Sequence, residues 1–322
     1  MRKQIRIGTR ASALALWQAE WVKSELEKKY PGMTVTLTKI KTTGDKILDV
    51  PLAMVGGKGL FVKEIEEAML REEIDIAVHS MKDVPTFFPE GLHLGAITKR
   101  EDARDALLSR NGVKFHDLPK GATVGTSSLR RQAQLISIRP DLKIAQLRGN
   151  VDTRLRKLRE GQFDAIILAA AGVKRLGLAE HVTEYIEPEI SLPAIGQGAL
   201  GIECRAGDRE LNDMIAFFNH QESRVCVTGE RALLRRLEGG CQVPIACYGT
   251  MKNGTLSLTG LVASVDGARV VKESIQGPPA DAEKLGVTLA ETLLSLGADV
   301  ILKEVYGHGN DISGNNLLEN GR

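Results

Sequence analysis

Two stretches of this 322-residue sequence repeat one pattern, in which an apolar strand ends in a Gly-Thr turn and a helix follows. The first copy runs over residues 5–12 and the second over residues 122–128. A helix after the first turn is indicated by apolar residues spaced three and four apart, namely Ala15, Ala19, Val22 and Leu26. A chain that contains this strand–turn–helix unit twice is expected to fold into two similar parts, each built on one copy of the unit.

A second pair of matching segments extends the repeat. Helices predicted over residues 60–70 and 153–159 lead into strands predicted over residues 74–78 and 163–168, respectively. Strands that alternate with helices form parallel βαβ units. The sequence therefore predicts two similar α/β domains.

The last third of the chain has a different pattern. A helix is predicted over residues 222–237, and Asp266-Gly267 is a hairpin signal between two β-rich runs. A final helix is predicted over residues 282–296, with a loose tail after Tyr306. These features indicate a small α+β domain, so we expect three domains over residues 1–99, 100–199 and 218–322.

Four polar segments follow the predicted strands. Ligands of open α/β sheets bind at the carboxyl ends of strands, and two similar domains with facing strand ends form a cleft. The segments that would line this cleft are residues 8–10, 79–83, 125–128 and 147–150.

The charge distribution indicates which class of ligand the cleft would bind. Lys+Arg is 43 and Asp+Glu is 41, a net charge of only +2, so the protein is not generally basic. Residues 120–160, however, hold ten basic and three acidic residues, a net +7 that leaves −5 elsewhere. Arg156, Lys157 and Arg159 are typical of a solvated helix face.

Three other arginines in this segment lie beside predicted strand-end turns, namely Arg130, Arg131 and Arg148. Arginine pairs bidentately with carboxylate or phosphate, and the helix N-termini at Ser12 and Ser128 add backbone N–H donors. The pattern predicts a polyanionic small-molecule ligand.

Two glycine motifs fit nucleotide binding poorly. Residues 196–201 match G-x-G-x-x-G, but Leu192-Pro193-Ala194 precedes them where a strand should end, so a hinge or a tight backbone crossing between domains is favoured. Residues 56–59 resemble part of a P-loop but lack its first glycine and its Ser/Thr. Their composition fits a surface loop and a lid over an anionic ligand equally well.

Two residues are candidates for chemistry. Asp83, beside Lys82, is either an ion-pair partner or a catalytic carboxylate. Cys241, between glycines and a proline, is either a small core residue or a reactive loop thiol. The four cysteines contain no C-x-x-C pair, which disfavours a zinc site, and no secretory signal pattern is evident, so we expect a cytoplasmic protein with reduced thiols.

Seven stretches together resemble one family, the hydroxymethylbilane synthases, also called porphobilinogen deaminases. They run in family order from the first strand into the third domain and comprise residues 7–12 with 14–19, 55–61, 79–85, 125–131, 147–151, 192–205 and 237–244. The resemblance implies two periplasmic-binding-protein-like α/β domains with a cleft between them, residues 200–217 returning to the first, plus a small C-terminal α+β domain.

The resemblance also implies an activity. Such transferases join four porphobilinogen molecules head to tail into the linear tetrapyrrole hydroxymethylbilane, releasing four ammonia molecules, in porphyrin and haem biosynthesis. A dipyrromethane cofactor held by a thioether at Cys241 is implied, with Asp83 as the catalytic residue. Each pyrrole carries two carboxylates, which explains the arginines.

Further roles are carried over by position. The implied cofactor-binding residues, besides Cys241 and Asp83, are Ser12, Lys82, Thr126, Ser128, Arg130, Arg131 and Arg148. The implied substrate-binding residues are Arg10, Ser12, Lys58, Phe61, Arg148, Arg154 and Arg175. Two positions depart from the family pattern, since Met54 replaces a lysine of some relatives and Asp152 replaces a small residue.

Two other functions compete with the enzyme. A non-catalytic cleft protein for a polyanionic small molecule would use the same arginines. A nucleic-acid-binding module would use the +7 segment, but an aromatic content of 4% argues against base stacking. We expect a monomer whose partner is porphobilinogen, with neither nucleic acid nor membrane as a partner.

Overall fold

The structure is a computed structural model that describes residues 2–46, 62–237 and 243–311. Lys58, Phe61 and Cys241 of the predicted site lie outside these residues, as do Met54 and the glycine-rich segment 56–59.

The first sheet has five strands in the order β2-β1-β3-β10-β4. β1 runs parallel to β2 and β3, whereas β10 runs antiparallel to β3 and β4. The strands are β1 (Gln4–Thr9), β2 (Thr34–Lys39), β3 (Ile76–Ser80), β4 (Leu92–Ile97) and β10 (Leu200–Arg205).

The second sheet repeats this arrangement in the order β7-β6-β8-β5-β9. β6 is parallel to β7 and β8, and β5 is antiparallel to β8 and β9. Its strands are β5 (Asp105–Ser109), β6 (Thr123–Gly125), β7 (Lys143–Ala145), β8 (Ala165–Ala169) and β9 (Glu184–Ile186). Each sheet is therefore mixed rather than fully parallel, because one antiparallel strand follows each crossing between the sheets.

Helices flank the two sheets, and polar side chains begin several of them. Ser12 Oγ accepts from Ala15 N at 3.3 Å, and Ser128 Oγ accepts from Arg131 N at 3.4 Å, as expected for N-caps. The helices are α1 (Ala13–Lys29), α2 (Thr43–Lys46), α3 (Lys63–Leu70), α4 (Leu129–Ile138), α5 (Val151–Arg159), α6 (Ala170–Arg175) and α7 (Arg209–Ile215).

Two crossover segments, residues 98–104 and 187–199, connect the sheets. Gly198 has φ +94°, and a Cβ there would collide with the carbonyl oxygen of Glu101 on the other segment. Gly196 has φ +70°, and a Cβ there would meet Met81. Of the two predicted alternatives, the G-x-G-x-x-G motif is thus a tight backbone crossing, and only glycine fits at Gly196 and Gly198.

The third unit is a three-stranded antiparallel sheet covered by helices. Its hairpin turns at Gly267, with φ +68°, as predicted. Its elements are α8 (Gln221–Arg236), β11 (Ile245–Lys252), β12 (Thr255–Ala263), β13 (Val270–Gly277), α9 (Ala282–Leu293) and α10 (Asp299–Asp311). Together with the two larger sheets, this small α+β unit confirms the predicted fold class.

The C-terminal region differs from the prediction. Gly297, with φ +100°, interrupts the helical run near the predicted end, and α10 then continues through Asp311, where a loose tail was expected. The helical run 279–305 is long and apolar enough to cross a bilayer by length and composition. Leu289 and Leu293 are nevertheless buried in the core of the third unit, which accounts for the apolar composition.

Glu230 on α8 joins the third unit to both crossover segments. Its carboxylate accepts from Arg100 Nη1 at 2.5 Å, from Gly196 N at 2.6 Å and from Gly249 N at 2.8 Å. Because Glu230 is fully buried, these bonds compensate for its desolvation. The three units therefore meet at one satisfied carboxylate.

Candidate active site

One wall of the cleft is a cavity at the carboxyl ends of β1 and β3. Polar side chains from both strand ends and from α1 line it, namely Arg10, Ser12, Gln18, His79, Ser80 and Asp83. Gln18 Nε2 donates to Ser80 Oγ at 2.9 Å and fixes that hydroxyl beside the cavity. The structure thus brings together two of the four predicted segments, residues 8–10 and 79–83, at one cavity.

Asp83 is the exposed carboxylate of this wall. It ends the short 3-10 turn Met81–Asp83, and within the described residues its side chain has no hydrogen-bond or ion-pair partner. Arg231 on α8 holds the residues that follow, donating from Nη1 to the Val84 carbonyl at 3.0 Å and from Nη2 to the Pro85 carbonyl at 2.5 Å. Asp83 is thus anchored through its backbone and available through its carboxylate.

Lys82 experiences the charges of residues from both α/β domains. Burial of its ammonium lowers the pKa to about 8, an effect that the Asp83 charge opposes and the Arg131 charge reinforces. Asp105 and Arg130 also act on it. Charges from the second sheet's domain therefore reach a residue next to Asp83.

Arg130 and Arg131 share one buried counterion, Asp105. Arg130 Nη2 donates to both carboxylate oxygens, at 3.1 and 2.9 Å, and Arg131 donates from Nε at 3.0 Å and from Nη2 at 2.8 Å. Ser191 and Gln197 add hydrogen bonds to the same carboxylate. The structure thus places both arginines in a buried network at the base of the cleft.

The electrostatics of this network favour its charged form. Burial alone would raise the pKa of Asp105, but Arg130 and Arg131 outweigh burial and hold the pKa well below its usual range. Burial lowers the pKa of Arg130, and Arg131 adds to that effect. One carboxylate faces two guanidinium groups, so the network carries excess positive charge.

Arg154 differs from Arg130 and Arg131 in having no buried carboxylate as its counterion among the described residues. We call Arg154 and the two arginines that act on it, Arg131 and Arg148, the Arg154 group. Burial lowers the pKa of Arg154 to about 10, and the charges of Arg131 and Arg148 add to the shift. Arg154 Nε donates to the Gly149 carbonyl at 2.8 Å, and among the described residues no carboxylate pairs with Arg154. Desolvated guanidinium groups that repel one another create an anion-binding site.

The turn after β6 shapes this wall. Thr126 is buried, and its Oγ1 accepts from Ser128 N at 3.2 Å. Ser128 in turn caps α4, whose first residues include Arg130 and Arg131. The predicted residues Thr126 and Ser128 therefore set the position of the arginine-bearing helix.

Arg175 lies where both domains meet the crossover. Its Nη2 donates to the Gly198 carbonyl at 2.6 Å, and its guanidinium lies 5.9 Å from the ring centroid of Trp17 on α1. Burial lowers its pKa to about 10, although Glu101 opposes the shift. Arg175 therefore contacts the crossover segment 187–199 through Gly198, and it is not one of the residues whose charge acts on Arg154.

Charges outside the cleft behave as expected for a surface. Arg156 pairs with Glu160 at 2.6 Å on the exposed face of α5. Asp152, one of the two departures from the family pattern, is exposed and forms no ion pair among the described residues. It lies in the first turn of α5, where a negative charge stabilises the helix.

Sequence reasoning missed several residues of the site. Asp105 is 25 residues from Arg130, and Glu203, the partner of His79, is 124 residues away. Arg231 belongs to the third unit and contacts Val84 across 147 residues. None of these pairs has a local sequence motif. The only signal was for His79, which belongs to the same strand-end segment, residues 79–83, as Asp83.

An available carboxylate at the strand ends of one domain, next to a lysine on which the arginines of the other domain act, is typical of a two-domain protein that binds a polyanionic ligand. Comparison with known proteins then identifies the family. The family model for "Porphobilinogen deaminase, dipyromethane cofactor binding domain" matches residues 5–213, and that for the "Porphobilinogen deaminase, C-terminal domain" matches residues 224–295. The chain belongs to the porphobilinogen deaminase family.

Close relatives agree over almost the whole chain. The chain is 69% identical to the porphobilinogen deaminase of Geobacter metallireducens over 304 residues, which covers 94% of this chain and 95% of that protein. It is 68% identical to that of Geobacter sulfurreducens, with the same coverage, and 66% identical to that of Pelobacter propionicus, covering 94% and 98%. Among solved structures, the aliphatic sulphonate binding protein SsuA of Escherichia coli has a TM-score of 0.40 at 16% identity, covering 74% of this chain and 71% of that chain.

The residues present fit the cofactor of this family. A dipyrromethane has several carboxylates. The second domain offers Arg154, with which no carboxylate pairs among the described residues. Lys82 adds a further ammonium at the junction of the walls. Donors of this type and number match a polycarboxylate.

Proposed function

We propose that this chain is a hydroxymethylbilane synthase that condenses four porphobilinogen molecules head to tail and releases four ammonia molecules. One observation carries the proposal: the charge of Arg131 acts both on Lys82, the neighbour of the available Asp83 carboxylate, and on the buried Arg154, with which no carboxylate pairs among the described residues. The arginines can bind the carboxylates of the substrate, and the Asp83 carboxylate can stabilise a cationic intermediate.

The arginines hold the pyrrole carboxylates. Arg148 and Arg154 bind substrate acetate and propionate groups, and Arg131 with Lys82, Ser128 and Arg130 holds the cofactor end of the chain. Their excess positive charge supports this role, because each bound carboxylate relieves repulsion within the group. Arg10 and Ser12 contact substrate from the first domain, and Thr126 contacts the cofactor from the second. Arg175 contributes by holding the crossover segment at Gly198.

Asp83 handles the charge that develops on the substrate. Loss of ammonia from the aminomethyl group leaves a cationic azafulvene. The Asp83 carboxylate, which has no protein cation paired to it among the described residues, stabilises that cation and the pyrrole N–H groups. Arg231 holds the backbone that carries it.

The cofactor and the lid complete the proposal. Cys241 forms the thioether to the dipyrromethane, which when bound supplies the pyrrole carbon that is extended. Lys58 and Phe61 contact substrate from a lid. Leu237 and Val243, the described residues on either side of Cys241, are buried in the core of the third unit, which supports a firm base for such an anchor.

The organisation follows the same logic. We assign residues 1–99 with 200–217 to the first domain, 100–199 to the second and 218–322 to the third. β10 and α7 support the first assignment, because Ile202 and Leu211 pack in one core with Ile7. A monomer suffices, since one chain supplies both walls, and three buried free cysteines support the cytoplasm as its compartment, namely Cys204, Cys226 and Cys247.

Incubation of the purified protein with porphobilinogen tests the proposal. We expect ammonia release and hydroxymethylbilane formation, and their near loss in Asp83→Asn. The matched control is Asp213→Asn, an exposed aspartate on α7, which removes the same charge and should retain activity. Binding of porphobilinogen without ammonia release would instead establish a non-catalytic binding protein.

A further inference from the structure

A buried histidine–carboxylate pair, His79 with Glu203, lies at the cavity that Asp83 also lines. His79 on β3 and Glu203 on β10 are 7% and 1% exposed, and His79 Nε2 lies 2.9 Å from Glu203 Oε2. His79 lines the same cavity as Asp83 and Ser80. This pair is not needed to close the sheet, because β3 and β10 are already joined by their backbone ladder.

The partner of His79 determines which ring nitrogen is basic. An ionised carboxylate only accepts hydrogen bonds, so Nε2 of the neutral ring carries the proton toward Glu203 and Nδ1 keeps its lone pair. Nδ1 has no hydrogen-bond partner among the described residues. A carboxylate behind an imidazole is the arrangement that orients histidine as a general base.

Several charged groups surround this pair. Glu66 on α3 is close enough that the Glu203 charge adds to burial in raising the pKa of Glu66 to about 7, while His79 opposes the shift. Glu203 Oε1 is buried without a hydrogen-bond partner among the described residues. Arg10 and Asp83 are the other charged residues that line the cavity. Glu203, with one oxygen toward Nε2 and the other open, is therefore the group that stabilises a protonated imidazole.

The reaction has a step that needs such a base. Each condensation forms a carbon–carbon bond at the α-carbon of a pyrrole and must then remove the hydrogen of that carbon. Asp83 is the counterion of the substrate cation while this bond forms. A second acceptor beside Asp83 allows the proton to leave without Asp83 losing its charge.

We propose that His79 Nδ1 accepts the proton that the pyrrole α-carbon loses after each condensation, with Glu203 as its positioning residue. The carbon–hydrogen bond breaks, its electron pair returns to the ring, and the proton passes from His79 to the released ammonia or to water. This inference rests on the proposed function.

The variants His79→Gln and Glu203→Gln test the inference, with His93→Gln as the matched control. Glutamine keeps a side-chain amide near Glu203 but is not a base. His93 lies on β4 of the same sheet, where its Nε2 contacts Asn212 Oδ1 at 2.7 Å, and it does not line the cavity. We expect kcat to fall about 100-fold in His79→Gln, within the range of general-base catalysis, and to stay near wild type in His93→Gln.

Porphobilinogen deuterated at its free α-carbon separates a base from a structural residue. We expect a primary isotope effect on turnover in His79→Gln and Glu203→Gln that the wild type lacks, because proton removal becomes rate-limiting. Slow turnover without an isotope effect would overturn the inference and leave proton removal to Asp83. Wild-type protein that releases no ammonia would overturn the proposed function instead.

A measurement on the apoprotein needs no turnover. We expect ¹⁵N NMR to show the neutral His79 ring as the Nε2–H tautomer, and Glu203→Gln to redistribute the proton between the two nitrogens. An Nδ1–H tautomer in the wild type would contradict the inference, because Nδ1 would then have no lone pair for the substrate proton.

Discussion

Arg231 Nη1 donates a hydrogen bond of 3.0 Å to the carbonyl oxygen of Val84, the residue that follows Asp83. Arg231 belongs to α8, which ends at Arg236, five residues before Cys241. One helix therefore supports the backbone of the proposed catalytic carboxylate and leads to the proposed cofactor anchor. Burial lowers the pKa of Arg231 to about 10, and it contacts two carbonyl groups rather than a carboxylate.

We expect Arg231→Gln to lower kcat about tenfold with a smaller change in KM, because the loosened Val84 backbone no longer holds Asp83. Loss of hydrogen bonds from a charged donor should also reduce the free energy of unfolding by about 1.5–3 kcal/mol. Steady-state kinetics and urea denaturation measure the two effects. The control is Arg235→Gln on the same helix, whose exposed pair with Glu283 should contribute less than 1 kcal/mol. Equal kcat in both variants would exclude a positioning role for Arg231.

Arg154 is expected to show a trade-off between binding and stability. Arg154→Gln removes a desolvated cation that Arg131 and Arg148 repel, so the free energy of unfolding of the apoprotein should stay constant or rise. Loss of a charged hydrogen-bond donor for substrate carboxylates should raise KM about tenfold to hundredfold. Arg156→Gln, on the exposed face of the same helix, should leave KM unchanged and lower the free energy of unfolding by only about 0.3–0.5 kcal/mol, through loss of its pair with Glu160. A large loss of stability in Arg154→Gln would mean that the hydrogen bond from Arg154 Nε to the Gly149 carbonyl outweighs the repulsion, which would contradict this prediction.

Asp105 is expected to be a stability determinant. Asp105→Asn leaves Arg130 and Arg131 buried without their counterion, which should cost about 3–5 kcal/mol in the free energy of unfolding. Glu160→Gln breaks the exposed Arg156 pair and should cost about 0.3–0.5 kcal/mol. Denaturant titration of both variants checks this difference. Similar losses would show that solvent screens the Asp105 network.

Glu66 should make stability depend on pH. Its pKa is about 7 in the folded protein, raised mainly by burial from 4.5, so between these values unfolding releases its proton. The contribution of neutral Glu66 is complete below pH 4.5 and is lost as pH rises through 7. We therefore expect the stability of Glu66→Gln relative to wild type to increase from pH 4.5 to 7 and then stay constant. A difference that does not change across this range would contradict the raised pKa.

Local patterns predicted much of the fold and one part of the site. Ser12 and Ser128 are helix N-caps as the sequence indicated, because a cap is determined by its immediate neighbours. The crossing at Gly198 and the hairpin at Gly267 were also predictable, since glycine marks a backbone that other residues cannot adopt. The end of the last helix was not, because Gly297 interrupts the run without ending it.

The electrostatics of the site required the structure. Nothing around Asp105 in the sequence indicates that it neutralises Arg130 and Arg131, which reach it only after β5 and α4 pack together. The contact between His79 and Glu203 depends on β10 entering the first sheet after the chain has crossed the second. Long-range pairs of this kind follow from topology rather than from sequence spacing.

The intact mass of the purified protein tests the central proposal most directly. We expect wild-type protein to exceed its sequence mass by two pyrrole units, with the addition on Cys241, and to gain mass in steps of one pyrrole when porphobilinogen is added. Cys241→Ser should lack the addition. Turnover by protein with an unmodified Cys241 would contradict the account.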